Sequence, residues 1–196
     1  VKPGDVKYVD VNHDGVINAS DKVDLGNGLP KYTFGFNFNL AWRGFDLSAN
    51  FTGAAGFQIA QSYRNPDSSQ ANYSRRILKR WTGEGTSNEI PRVTYGDVGN
   101  WLFSDLYLQD GDYIRLQNLT MGYDFKKLIS WKGLSKMRLY FQVQNLFTLT
   151  KYDGMDPEIG SYNGTDGNSS DSWVSGVDMG YYPHPRTFIV GLNLAF

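Results

Sequence analysis

Cysteine is absent from the 196 residues, so disulfides and thiolate metal sites are excluded, although this does not fix the compartment. Nor does any apolar run approach the roughly 18 residues that a transmembrane helix needs. A transmembrane β-barrel leaves the same blank, because every second strand residue is polar. Neither charge dominates: 19 basic side chains stand against 20 acidic ones, so nucleic acid is not an expected partner. Histidine occurs only at His13 and His184, neither beside a serine or cysteine nucleophile in a recognisable setting, and no catalysis is expected. The first residue is Val1, with no basic start and apolar core after it, so the expectation is a processed chain or a piece of a longer one.

What the chain does have is aromatic residues, 15% of the total, with 22 glycines and few of the residues that favour helices. This composition favours strands and turns. The last twelve residues, PRTFIVGLNLAF, place Phe188, Val190, Leu192, Leu194 and Phe196 at alternate positions, with small or polar residues mostly between them. A strand sends the two sets to opposite faces. The segment fits the closing strand of an outer-membrane barrel, and equally an edge strand of a soluble sandwich.

Four more segments alternate in the same way. Tyr32 to Trp42 puts Tyr32, Phe34, Phe36, Phe38, Leu40 and Trp42 on one face. Arg43-Gly44 then predicts a tight hairpin into a second strand with Phe45, Leu47, Ala49 and Phe51 in phase. From Tyr113 to Phe125 the phase slips between Leu116 and Leu119, which predicts a β-bulge near Gln117-Asn118. From Met137 to Thr150, Asn145 interrupts the apolar row, which predicts a second irregularity near Gln144-Asn145. The connections alternate short and long: Arg43-Gly44, then about Gln58 to Asp112, then about Lys126 to Lys136, then about Lys151 to His184. Outer-membrane barrels segregate loop length by end in this way. Five strands cannot close a barrel, so the expectation is one end of a larger one.

Asp10 to Asp21 reads DVNHDGVINASD. An EF-hand-like calcium loop takes oxygen ligands at positions 1, 3, 5, 7, 9 and 12, with glycine at 6. Those places hold Asp10, Asn12, Asp14, the Val16 carbonyl, Asn18 and Asp21, with Gly15 at the turn. Asp21 replaces the usual bidentate glutamate, and flanking helices are not evident, so a structural Ca2+ is expected rather than a regulatory one. The competing reading is a metal-free cluster of Asx turns. Asp153 and Asp156 are read as solvated or turn-forming carboxylates on an acidic loop. Trp42 and Trp131 fall at the expected short-turn ends, where a lower interfacial girdle would sit. Trp81, Trp101, Tyr162, Trp173, Tyr181 and Tyr182 lie in or beside the long loops, where they either contact substrate or a partner or form the loops' own small cores.

Taken in order, PGDVKYVDVNHDGVINASD, GNGLPKYTFGFNFNLAWRGFDLSANFTGAAG, DGDYIRLQNLTMGYDF, LYFQVQNLFTLTKYDGMDPEIG and GVDMGYYPHPRTFIVGLNLAF resemble the C-terminal end of the SusC/RagA family of TonB-dependent outer-membrane transporters of Bacteroidota. Residues from about Tyr63 to Trp101 match least. The resemblance implies an all-β fold, about five C-terminal antiparallel strands of a transmembrane barrel of about 22, with two long extracellular loops. It divides the chain into an extracellular segment, 1–31, carrying the calcium loop, and barrel strands and loops, 32–196, with the plug absent. It implies import of an oligosaccharide or peptide beneath a SusD-like lipoprotein lid, driven by the TonB complex through the missing N-terminal part. It also implies contact with outer-membrane lipid and with the barrel-assembly machinery, the latter through Phe188, Val190, Leu192, Leu194 and Phe196. The alternative is a soluble secreted, calcium-stabilised β-sandwich that binds carbohydrate. A calcium-dependent glycosidase would need paired carboxylates across a cleft, and none can be picked out. The row Phe34, Phe36, Phe38, Leu40, Phe188, Val190, Leu192 and Leu194 separates the first two readings: it faces lipid in one and a packed second sheet in the other.

Overall fold

A computed structural model describes residues 1–62, 75–93, 99–129, 131–159 and 176–196. The described residues contain eight β-strands and short 3-10 turns, with no α-helix. In chain order the strands are β1 (Tyr32–Trp42), β2 (Phe45–Ala55), β3 (Gln58–Gln61), β4 (Leu108–Asp110), β5 (Tyr113–Asp124), β6 (Lys136–Thr150), β7 (Val177–Asp178) and β8 (Thr187–Ala195). Five of them form one antiparallel sheet in the order β1-β2-β5-β6-β8, and β4-β3-β7 form a small second sheet. The three short strands fall inside stretches expected as long loops; runs this brief carry too little alternation to stand out in sequence.

The chain forms two compact units, 1–26 with 61–108, and 27–60 with 109–196. The second holds the five-stranded sheet. At its first hairpin Arg43 (φ 47°) and Gly44 (φ 92°) both adopt left-handed backbone, the geometry of a type I′ turn, and glycine takes the second place without a Cβ penalty. Both expected irregularities are present. Asn50 pairs with Asn118 and Phe51 with Leu116, leaving Gln117 as the extra residue of β5. On β6, Gln144 faces Asn118 and Phe147 faces Leu116, so Asn145-Leu146 bulge out. Asn145 is left-handed (φ 52°), and its Nδ2 donates to the Pro185 carbonyl at 3.1 Å, so the amide that breaks the apolar row ties β6 to the entrance of β8.

These bulges rephase the strands so that the apolar rows run unbroken across the sheet. Leu40, Leu47, Met121, Phe141 and Val190 align on successive strands, as do Phe38, Ala49, Leu119, Val143 and Phe188. The opposite face aligns Asn37, Asn50, Asn118, Gln144 and Thr187. Between the sheet and the long connections sits a small core of Ala54, Phe57, Ile59 and Tyr152, with Tyr113 and Ile159 against it.

Candidate functional site

Burial in the sheet runs against the pattern of a water-soluble strand. On β6 the apolar Leu139, Phe141, Phe147 and Leu149 are exposed, whereas Arg138, Tyr140, Gln142 and Gln144 on the other face are half-buried. On β8, Phe188 is 61% and Val190 72% exposed, while Thr187 and Ile189 are half-buried. The rows from Phe34 to Leu40 and from Phe188 to Leu194 stay open, with no second sheet over them among the described residues. Each large apolar side chain left in water forgoes about 1.5–3 kcal/mol, so a face of this extent needs an apolar medium against it. The other face is wettable. Arg138 reaches from β6 to β2, donating through Nε (2.8 Å) and Nη2 (2.5 Å) to the Asp46 carboxylate, and its guanidinium lies 5.0 Å from the Tyr140 ring centre.

At the short-turn end Trp42 and Trp131 are exposed, as a girdle requires, and Trp131 meets the terminal Phe196 ring edge-on at 6.2 Å. The Ser135 amide donates to the Ala195 carbonyl at 2.7 Å and holds the chain end on β6. Val190, Leu192 and Leu194 share the open face with Phe188, and Phe196 continues it.

At the long-loop end the structure decides between the two readings of Asp156: the carboxylate is not solvated but forms a turn with the Glu158 amide. It is 5% exposed and pairs with the Arg115 guanidinium, itself 2% exposed. Arg115 also donates to Thr148 (Nε to Oγ1, 3.0 Å) and pairs with Glu158 at 3.0 Å. The Asp156 carboxylate accepts the backbone amides of Glu158 (2.9 Å) and His184 (3.1 Å), with the His184 ring Nδ1 3.1 Å away. Burial raises its pKa, but those amides, the imidazole and Arg115 together outweigh burial and hold it below the ordinary carboxylate value. His184 is thus an exposed residue whose amide and ring both meet a buried carboxylate. Sequence reasoning passed over this cluster because Arg115 lies 41 positions from Asp156, and Asp156 lies 28 from His184, separations that no spacing rule connects; the available signal was the single arginine on β5. Asp153 takes part in a reciprocal amide-carboxylate pair with Gln109. The buried Asp178 accepts from the Tyr152 hydroxyl and from the amides of Gly180 (2.8 Å) and Tyr181 (3.1 Å).

In the first unit, residues 10–21 form a continuous loop of Asx turns. Asp10 accepts the amides of Asp14 (3.2 Å) and Gly15 (2.8 Å), Asp14 that of Val16 (2.8 Å), and Asp21 those of Val11 (2.9 Å) and Asn18 (2.7 Å). His13 (φ 61°) and Gly15 (φ 79°) are left-handed, and Asn18 caps the turn Ala19–Asp21. Hydrogen bonds from Asn18 and Val11 lower the Asp21 pKa. Among the described residues no three His, Cys, Asp or Glu side chains converge as a metal-holding group.

The same unit contains a cleft of about 550 Å³ lined by Gly4–Lys7, Trp81, Ser87–Pro91, Asp105 and Leu106. Of the other loop aromatics, Trp101 ends the turn Gly99–Trp101, Tyr181 is half-buried, Tyr182 is 85% exposed, and Tyr162 and Trp173 lie outside the described residues.

An antiparallel sheet with an open apolar face, a polar opposite face and loop lengths sorted by end defines a wall of the outer-membrane barrel class. Comparison with known proteins narrows this further. Over 99% of its length the chain is 34% identical to TonB-dependent receptor P3 of Formosa agariphila, of which it spans 19%. It is 28% identical over its whole length to TonB-dependent receptor SusC of Bacteroides thetaiotaomicron, spanning 18% of that protein. Among solved structures, the RagAB peptide transporter matches 92% of the chain with a TM-score of 0.71 at 24% identity, across 19% of the matched chain. The RagAB peptide importer in its open-open state matches 86% of the chain with a TM-score of 0.64 at 25% identity, across 17% of the matched chain. No protein-family model matches the sequence. The chain therefore spans about a fifth of the relatives it matches, and along its whole length it is similar to TonB-dependent receptors of the SusC and RagA kind. Its compartment is the outer membrane, as it is for those receptors.

Proposed function

We propose that the chain is the C-terminal barrel wall and external loops of a TonB-dependent importer for oligosaccharide or peptide, working with a SusD-like surface lipoprotein and having no catalytic role. The observation that carries this reading is the inverted burial along β6 and the first half of β8, where Leu139, Phe141, Phe147, Leu149, Phe188 and Val190 are open and Arg138, Tyr140, Gln142, Gln144 and Thr187 are half-buried, with Val143 the buried exception; this suits lipid outside and an aqueous lumen inside. The short-turn end then faces the periplasm and the long connections face the medium. The five strands belong to a barrel of about 22, closed by chain outside the sequence described here. Phe196 and the alternating residues before it serve as the assembly signal. The division into an extracellular segment, 1–31, and barrel strands, 32–196, belongs to the same reading. The test is the native polypeptide extracted from membranes in detergent. The expected result is a chain about five times this length with a lipoprotein attached; a soluble monomer of this length, folded without detergent, would overturn it.

Calcium belongs to the same proposal. The donors of residues 10–21 are all oxygen, the choice of a hard cation, and the left-handed His13 and Gly15 already turn the loop back on Asp10. Asp10, Asn12, Asp14, the Val16 carbonyl, Asn18 and Asp21 would hold the ion, which would pin the segment and take no part in transport chemistry. Calcium should raise the protease resistance of this segment in the native chain, and Asp10→Ala with Asp14→Ala should abolish the effect. Equal cleavage with calcium or with a chelator would remove the ion from the account.

A further inference from the structure

The cleft of the first unit has a rigid floor and a rim of free polar groups. Its floor is fixed by long-range bonds: the Arg92 amide to the Gly4 carbonyl (2.8 Å), the Trp81 amide to the Ile90 carbonyl (2.9 Å) and the Val6 amide to Asn100 Oδ1 (2.8 Å). Arg92 Nε and Asp5 Oδ1 are 2.5 Å apart, so the Asp5 charge is neutralised and its pKa is held well below the carboxylate range, first by that bond. Gly4 (φ 87°) lays bare backbone on the Trp81 indole; a Cβ there would overlap the ring, so only glycine permits the contact and the ring is locked on that side. The rim differs. Lys7, Asn88, Glu89 and Asp105 all line the cleft, and none of their side chains has a hydrogen-bond or ion-pair partner among the described residues.

On the importer reading, we infer that this cleft is a binding subsite for a neutral sugar chain, with Trp81 meeting the apolar face of a ring and Asn88, Glu89, Asp105 and Lys7 meeting its hydroxyls. Its volume falls within the range of small-molecule sites, and an apolar wall with a few convergent polar groups is the usual makeup of one. Charge narrows the ligand. With Asp5 cancelled by Arg92, the lining keeps Glu89 and Asp105 against Lys7, an excess of carboxylate that repels sulfated or uronate chains. Backbone narrows it as well. None of the lining residues belongs to a β-strand, so the cleft offers an extended peptide no sheet edge for main-chain pairing, whereas free side chains of both hydrogen-bonding senses suit a ligand dense in hydroxyls. Because the floor is fixed before binding, little ordering entropy opposes capture.

The experiment is calorimetric titration of the native chain in detergent with neutral hexasaccharides of glucose, xylose and mannose, a heparin-derived hexasaccharide and a trilysine peptide. At least one neutral hexasaccharide should bind saturably. Trp81→Ala should weaken it by about tenfold, and Asn88→Ala with Asp105→Ala by about fivefold. The second variant alters only exposed, unpartnered side chains and so should keep the wild-type melting temperature, which separates lost binding from lost folding. Absence of binding by all three neutral chains, binding unchanged in both variants, or variant-sensitive binding of the heparin fragment or the peptide instead would overturn the inference. Import is scored separately, as lipoprotein co-purification and uptake by intact cells. If those persist while neutral-sugar binding is absent or indifferent to the variants, the cleft inference alone falls.

Discussion

Arg115 and Asp156 are the residues on which the long-loop end turns. A buried guanidinium and carboxylate each lose hydration, and the pair is tolerable because Thr148, Glu158 and the His184 amide supply the remaining hydrogen bonds. Removing one partner strands the other. Arg115→Ala should therefore cost about 3–5 kcal/mol in urea unfolding of the lipid-embedded chain, whereas Glu158→Gln, at a half-exposed carboxylate, should cost under about 1 kcal/mol. Because the folded pKa of Asp156 is lowered, its contribution is present above the ordinary carboxylate value of 3.8 and is lost as pH falls through the depressed value. Hydrogen exchange at residues 151–159 should accelerate below about pH 4 in the wild type and lose that acid dependence in Asp156→Asn. None of this was legible from the sequence, in which Asp156 is one carboxylate on an acidic loop. Its environment comes from β5 and from the entrance to β8.

At the scale of the strand, far more could be read in advance. The alternation of Tyr32–Trp42 and Thr187–Ala195 gave strand, face and approximate ends, because a period of two is a local property. The slips at Gln117 and Asn145 were also visible, since a phase error in an apolar row can be repaired only by an extra residue. The consequence is a sided prediction. Val190→Arg places a charge on the open apolar face and should lower folding stability in lipid vesicles by about 2–4 kcal/mol if it lies near the bilayer midplane. Asn193→Asp, on the polar face opposite Arg138, should be nearly neutral in the same assay. Similar costs for both would mean that the faces have been assigned wrongly. The short strands β3, β4 and β7 escaped sequence reading because two to four residues are too few to establish a period.

For the whole molecule the decisive facts are the two open edges. Among the described residues both β1 and β8 pair on one side only in the five-stranded sheet, and β1 is exposed along its whole length. Unpaired strand edges beside an open apolar face invite association with any other strand. The 196 residues produced alone should therefore aggregate in water and disperse only in detergent, as followed by light scattering and size-exclusion chromatography; a stable monomer without detergent would contradict the barrel-wall reading.

By itself the sequence determined what is periodic or local: the five long strands, the faces they present, the bulges, the hairpin at Arg43-Gly44 and the run of oxygen donors from Asp10 to Asp21. Such features follow from steric and hydrogen-bonding preferences over a few residues. Only the tertiary structure decided which distant groups meet: Arg115 with Asp156 and His184, Arg138 with Asp46, and Gly4 beneath Trp81 at the floor of a cleft. Those contacts depend on the order of strands in the sheet and on the path of the long connections, and chain folding brings together residues that no local spacing relates.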